Sequence, residues 1–306
     1  MSYSRTKSVK LQINLLNFLL ALFNLMKPRV MSLVIFTCVV GLLIAPQEVN
    51  YLTAALSIVA VALGSGAAGA LNMWYESDLD SIMSRTCLRP IPTGKVTRKQ
   101  ALIFGVLTSI VSVIALYFFS NIVATLTLLT TILFYVFVYT IWLKPKTPQN
   151  IVIGGAAGAL PPVIGWAIAT GEITLEPIIL FLIIFMWTPS HFWALSLYKS
   201  EDYKKAKIPM LPITSGTKTT KLNIFIYALI MSPAVVSPYI LNFASLFYLL
   251  VSSIMTFYYI YLCFRLYNSK IAKVSNKIAR KIFIYSIFYL FFIFLLLLTD
   301  NILKVT

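Results

Sequence analysis

Polar residues are sparse in this chain, and their placement divides it into regular blocks. An apolar run of roughly twenty residues is long enough to cross a bilayer as a helix. Nine such runs lie near residues 30–46, 51–73, 100–119, 121–142, 151–170, 177–197, 222–241, 243–264 and 282–300. The pattern predicts an all-α, polytopic membrane protein with nine transmembrane helices. Residues 11–26 are also apolar but short and dotted with asparagines, which predicts an interfacial helix ahead of the first span. Pro28, between Lys27 and Arg29, suits a helix start.

The charges sort on this frame. With the N-terminus cytoplasmic, every basic residue except Lys304 falls on the inner side, before the first span or in the loops after spans two, four, six and eight. Positive bias of this kind fixes membrane orientation. The acids Glu48, Glu172, Glu176 and Asp300 fall outside. The five inner acids occupy two loops only: Glu76, Asp78 and Asp80 after the second span, Glu201 and Asp202 after the sixth. The residues following each cluster are alike, R-P-I-P-T-G-K-V-T-R-K and I-P-M-L-P-I-T-S-G-T-K-T-T-K. A weak internal repeat follows: a single domain of two related four-helix units, spans 1–4 and 5–8, with span 9 added and residues 1–29 as a basic leader and interfacial helix.

Composition narrows the function classes. The chain of 306 residues is 59% hydrophobic and 11% charged, against about 25% charged in a soluble domain. Its net charge of +16 would suggest nucleic acid on a soluble domain, but here it is accounted for by the inner loops. Three scattered cysteines, Cys38, Cys87 and Cys263, support neither a disulfide framework nor a structural zinc site. The G-S-G-A-A-G run at Gly64–Gly69 matches a dinucleotide fingerprint but lies inside a span, with no strand before it. There, and at Gly154, Gly155 and Gly158, small residues suit close helix contact.

The acids carry the candidate chemistry. Asn72, Glu76 and Asp80 are spaced i, i+4, i+8, so a helix continuing from span two aligns them on one stripe, each step turning about 40°. Asp78 points elsewhere. One neutral oxygen donor and two carboxylates on one face suit a hard cation such as Mg2+, which leaves coordination sites for phosphates. His191, Tyr198 and Asp202 fall within about 20° of each other on a helix, with His191 about 16 Å deeper than Asp202. His191 is the single histidine, for which a hydrogen-bonded core role stands beside a ligand role. Arg85, Arg89, Lys95, Lys144 and Lys146 lie on the same side as the acids, and cations with a metal are how a protein holds a diphosphate.

Five stretches together resemble the protoheme IX farnesyltransferases, the heme branch of the UbiA-like intramembrane prenyltransferases. They are K-P-R at 27–29, N-x-x-x-E-x-x-x-D at 72–80, R-T-x-x-R-P-x-P-x-G at 85–94, T-P-Q-N-I-V-I-G-G-A-A-G-A-L-P-P-V-I-G-W at 147–166 and W-T-P-S-H-F-W-A-L-S-L-Y-x-x-E-D-Y-x-x-A-x-I-P-M-L-P at 187–212. The resemblance implies a first metal–diphosphate site at Asn72, Glu76 and Asp80 and a second at Asp202 with Tyr198. It implies diphosphate contacts from Arg29, Arg85, Arg89, Lys144 and Lys146. Mg2+ is the implied cofactor, and farnesyl diphosphate and heme b are the implied substrates. The implied product is heme O, handed on to heme A synthase or a terminal oxidase, and the short basic leader favours a bacterial inner membrane over a mitochondrial one. His191 is then a candidate for the heme iron or a propionate, and Trp74, Trp187, Phe192 and Trp193 for the cavity wall. Two departures stand out: Met73 and Glu76 stand where the wider superfamily often has Asp, and Glu201–Asp202 replaces two aspartates a turn apart. A quinone or chlorophyll prenyltransferase, or a transporter, is the competing class. Acids at one surface rather than the midplane weigh against transport.

Overall fold

The computed structural model describes residues 15–305, so Arg5, Lys7 and Lys10 of the basic leader lie outside the described residues. Apolar sequence in a bilayer must satisfy its backbone internally, and helices are the local solution. Among the described residues all regular structure is helical. Helix α1 (Leu15–Leu25) meets α2 (Pro28–Leu43) at a bend of 53°. Then come α3 (Tyr51–Tyr75), α4 (Ser77–Ile82), α5 (Arg98–Phe119) and α6 (Ile122–Leu133), which runs on as a π-helix over Phe134–Leu143. Two half-length helices follow, α7 (Asn150–Ala159) and α8 (Pro161–Thr170). The chain closes with α9 (Leu175–Tyr198), α10 (Ser200–Lys205), α11 (Leu211–Thr214), α12 (Gly216–Ile240), α13 (Leu246–Asn268) and α14 (Ala272–Val305).

Eight of these segments, taking α6 with its π-helix and α7 with α8, are long and apolar enough to cross a membrane, and the bent α1–α2 pair makes a ninth. The chain is an integral membrane protein. Local signals set the ends: Asn50 accepts from the Leu52 and Thr53 amides to cap α3, and Thr97 with Gln100 forms a capping box at α5.

Packing is tightest where glycines meet. A Cβ at Gly41 would lie 2.1 Å from Pro162 O, and one at Gly165 only 1.9 Å from Cys38 O, so α2 and α8 cross with their backbones nearly in contact. Gly64, from the false dinucleotide motif, likewise faces Ser112 of α5. The α7–α8 break at Leu160 joins two apolar clusters: Ile164, Ala167 and Ile168 pack with α2, α3, α5 and α6, while Ile151 and Ala159 pack with the α9–α14 side. Helix α14 packs on α9, α13 and α2 and so closes the ring. Inside it lies a cavity of about 690 Å³ walled by α2, the π-helix, α7, α9 and α14.

Candidate active site

Asn72, Glu76 and Asp80 stay on one stripe although the helix breaks between them. Helix α3 ends at Tyr75 and Glu76 is its cap, at φ −88° and ψ 8°. The i to i+4 bonds nevertheless continue, Glu76 N–H to Asn72 O at 3.0 Å and Asp80 N–H to Glu76 O at 2.8 Å. All three side chains are buried, at 2%, 4% and 2% exposure. Buried charge requires partners, and each has a cation. Lys27 donates to Asn72 Oδ1 at 2.5 Å. Lys144 pairs with Glu76 Oε1. Arg89 Nη1 donates to both Asp80 oxygens, at 2.8 and 2.7 Å. Burial on its own raises the Glu76 carboxyl, but the charges of Lys144 and Lys27 outweigh it and hold it below the ordinary carboxylate range.

The π-helix supplies the register for this alignment. It runs beside α3 so that Thr140 meets Asn72 and Lys144 meets Glu76, the same four-residue step on both elements. Its wider turn is set by the Lys144 amide reaching Tyr139 O and the Thr140 hydroxyl reaching Tyr135 O at 2.8 Å. Thr140 therefore spends its only proton on Tyr135 O and must accept from Asn72 Nδ2, at 3.1 Å. This fixes the Asn72 amide with Oδ1 turned toward Lys27.

The second cluster meets the loop that follows the first: Ser84 donates to Asp202 Oδ2 at 2.6 Å. The continuous His191–Tyr198–Asp202 stripe is not formed. Helix α9 stops at Tyr198 and Lys199 adopts φ −114° and ψ 19°, so Asp202 sits on the separate α10. Tyr198 packs edge-on against Phe283, and Glu201 is exposed. His191 is buried at 8% exposure on the cavity wall, with Pro189 inside the same helix. Arg29 and Arg85 line the cavity. Lys146 is exposed, and Asp78 faces outward to Arg98 at 3.0 Å.

A sequence profile of the UbiA prenyltransferase family matches residues 34–287. The chain belongs to the UbiA prenyltransferase family. Its UbiA relatives include a protoheme IX farnesyltransferase of Pelagibacter ubique (strain HTCC1062), 65% identical over 95% of this chain and 96% of that protein. One of Parvibaculum lavamentivorans is 49% identical over 92% and 88%. The fold is shared with a solved digeranylgeranylglyceryl phosphate synthase, at TM-score 0.77 and 20% identity over 93% of this chain and 99% of that one. It is shared too with a UbiA homologue of Archaeoglobus fulgidus solved with GPP and Mg2+ bound, at TM-score 0.65 and 17% identity over 90% and 99%.

The donor set fits a divalent cation held jointly with substrate. Among the described residues no three His, Cys, Asp or Glu side chains converge to hold a metal alone. What the site offers is hard oxygen, with Asn72 Oδ1 oriented by Thr140 and two carboxylates beside it, and Mg2+ commonly takes one or two carboxylates with phosphate oxygens completing its shell.

Some of the cavity wall differs from expectation. Trp187 and Phe192 line it, but Trp193 is buried against Tyr227 and Trp74 packs with the α1 cluster, because their helix faces turn toward neighbouring helices. Met73 is buried in that same apolar cluster. Lys27 was not singled out from sequence, although it opens the K-P-R stretch. Its left-handed backbone, φ 55° and ψ 57° at the start of α2, brings it to Asn72. For a lysine that conformation is costly and persists only where the surrounding structure holds it.

Proposed function

We propose that this chain transfers the farnesyl group of farnesyl diphosphate to a vinyl group of heme b, with addition of water, giving heme O. The observation that carries the reading is near full-length 65% identity to a protoheme IX farnesyltransferase. The geometry supports it: a cation-rich diphosphate end opens beside an apolar cavity with aromatic walls.

Asn72, Glu76, Asp80 and Asp202 are the proposed metal ligands, with Mg2+ as the cation. When bound, the metal supplies Lewis-acid neutralisation of the leaving diphosphate. Lys144 and Arg89 hold Glu76 and Asp80 as charge pairs, Lys27 donates to the Asn72 amide oxygen, and all three are placed to turn their N–H groups to phosphate oxygens once a metal competes for the carboxylates. Arg29 and Arg85 reach the diphosphate from the cavity side, and Lys146 adds exposed positive charge nearby. Breaking the C1–O bond leaves an allylic cation in the cavity, where Trp187, Phe192 and the tyrosines Tyr135 and Tyr139 present ring faces. The vinyl carbon attacks C1, and water takes the resulting cation beside the porphyrin and loses a proton. Tyr198 packs edge-on against Phe283 and is proposed to order the second cluster. Delivery to heme A synthase or a terminal oxidase, and a bacterial inner membrane, complete the reading.

Membranes carrying the protein, given farnesyl diphosphate, Mg2+ and heme b, should yield farnesylated heme by mass spectrometry. Diphosphate release onto another acceptor, with no farnesylated heme, refutes the choice of acceptor.

A further inference from the structure

One group on the cavity wall is more tightly specified than diphosphate chemistry needs. His191 is stacked between Trp187, at 4.3 Å between ring centres and 17° between planes, and Phe283, at 4.6 Å and 24°. Its Nδ1 meets Ser286 Oγ of α14 at 2.6 Å. The Ser286 hydroxyl also donates to Phe283 O at 2.7 Å. A serine has one proton to give. If it goes to Phe283 O, Ser286 Oγ must accept from His191, so Nδ1 carries the ring proton and Nε2 is left with a lone pair. Ser286 is itself pinned, because Trp187 Nε1 donates to its carbonyl at 2.9 Å.

Nε2 has no hydrogen-bond partner among the described residues. Among the described residues, the buried side-chain polar atoms left without a partner are Ser77 Oγ, Ser112 Oγ, Asn150 Oδ1, Trp166 Nε1 and Trp193 Nε1. His191 Nε2 is not one of them and so keeps accessible surface, and the cavity is the space the ring lines. A neutral imidazole locked by an Nδ1–H hydrogen bond, with its Nε2 lone pair facing a ligand cavity, has the arrangement of a metal-ligating histidine.

We propose that His191 Nε2 is an axial ligand to the iron of the heme acceptor, and that Ser286 is the positioning residue that sets its tautomer and ring plane. This rests on the heme-acceptor reading above. The Nε2 lone pair forms the bond to iron, Nδ1–H stays on Ser286, and no electron or proton leaves the pair. Coordination at this point fixes the acceptor relative to the diphosphate end before the allylic cation forms.

The chain has a single histidine, so any histidine ligation must come from His191. The protein should be purified through a histidine-free tag and loaded with ferric heme b. The axial ligand is read by electron paramagnetic resonance and near-infrared magnetic circular dichroism, and by the iron–histidine Raman band after reduction. The wild type should show histidine ligation. His191→Gln should lose it, and imidazole should restore it in His191→Gly. Ser286→Ala should weaken heme binding by about 10- to 100-fold and lower the iron–histidine frequency, and Ser286→Thr should recover both. Elution of every variant as a single folded species in detergent, with a Tm close to that of the wild type, reports that they fold. Heme held without a histidine signature, or a signature that survives His191→Gln, overturns this inference alone. A wild type that retains no heme refutes the acceptor reading itself.

Discussion

Glu76→Gln is the most informative single change in the proposed diphosphate site. It removes a charge whose side chain is 5% exposed and leaves the Lys144 cation, 16% exposed, beside Lys27 and Arg89 with Asp80 as the remaining carboxylate of the stripe. Breaking a buried pair from one side typically costs about 3–5 kcal/mol, because the other charge stays buried and uncompensated. Lys144 keeps some solvent, which places the cost near the lower end, about 3 kcal/mol. For a chain of this size that is a fall in Tm of roughly 6 °C. Glu76→Gln/Lys144→Met removes both charges and should recover stability to within about 1 kcal/mol of wild type. Turnover should stay lost in the single and double variants, since the carboxylate is the proposed metal ligand as well as half of a pair. The pair also predicts a pH dependence. The Glu76 carboxyl is held below its ordinary value, so its contribution is full at neutral pH and is lost only as pH falls through that depressed value. The Tm gap between wild type and Glu76→Gln should therefore close only in acid. Thermal unfolding in detergent and diphosphate release read the two arms separately. A double variant that regains turnover would show the pair to be structural and remove Glu76 from the metal set.

Three further changes probe other parts of the reasoning. Thr140→Val removes the bond that orients Asn72, worth about 0.5–1.5 kcal/mol net. The metal concentration for half-maximal turnover should rise about two- to tenfold, and an unchanged metal titration would free Asn72 from the ligand set. Asp80→Asn keeps the side-chain shape but removes the charge, and diphosphate release should fall by about 10³-fold while the protein still elutes as a folded species. Full activity there would end the assignment of the site. Gly165→Ala puts a Cβ 1.9 Å from the Cys38 carbonyl, where backbone cannot give way, and should cost about 3 kcal/mol in thermal stability. An unaltered Tm would mean that α2 and α8 do not cross as closely as described.

The chain's own sequence determined the elements. Apolarity is a property of each residue, and twenty such residues in a row have few alternatives to a helix in a bilayer, so the helices fall close to the runs read from sequence. The Asn72–Glu76–Asp80 stripe was legible for the same reason, since helical spacing is local and the i to i+4 bonds survive the cap at Glu76. Spacing failed where one backbone residue departs from the helix. Lys199 turns the chain between Tyr198 and Asp202, and no feature of residues 191–202 outweighs the helical pattern to announce it. The site's partners lay further out of reach. Lys27 is 45 residues from Asn72, Lys144 is 68 from Glu76, Ser84 is 118 from Asp202 and Ser286 is 95 from His191. Which cation meets which oxygen is decided by the crossing of α2 with α3 and the register of the π-helix. Which helix face meets a neighbour rather than the cavity separates Trp187 from Trp193. Those are properties of packed surfaces, set by glycine contacts and close approach between distant segments, and they exist only once the ring has closed.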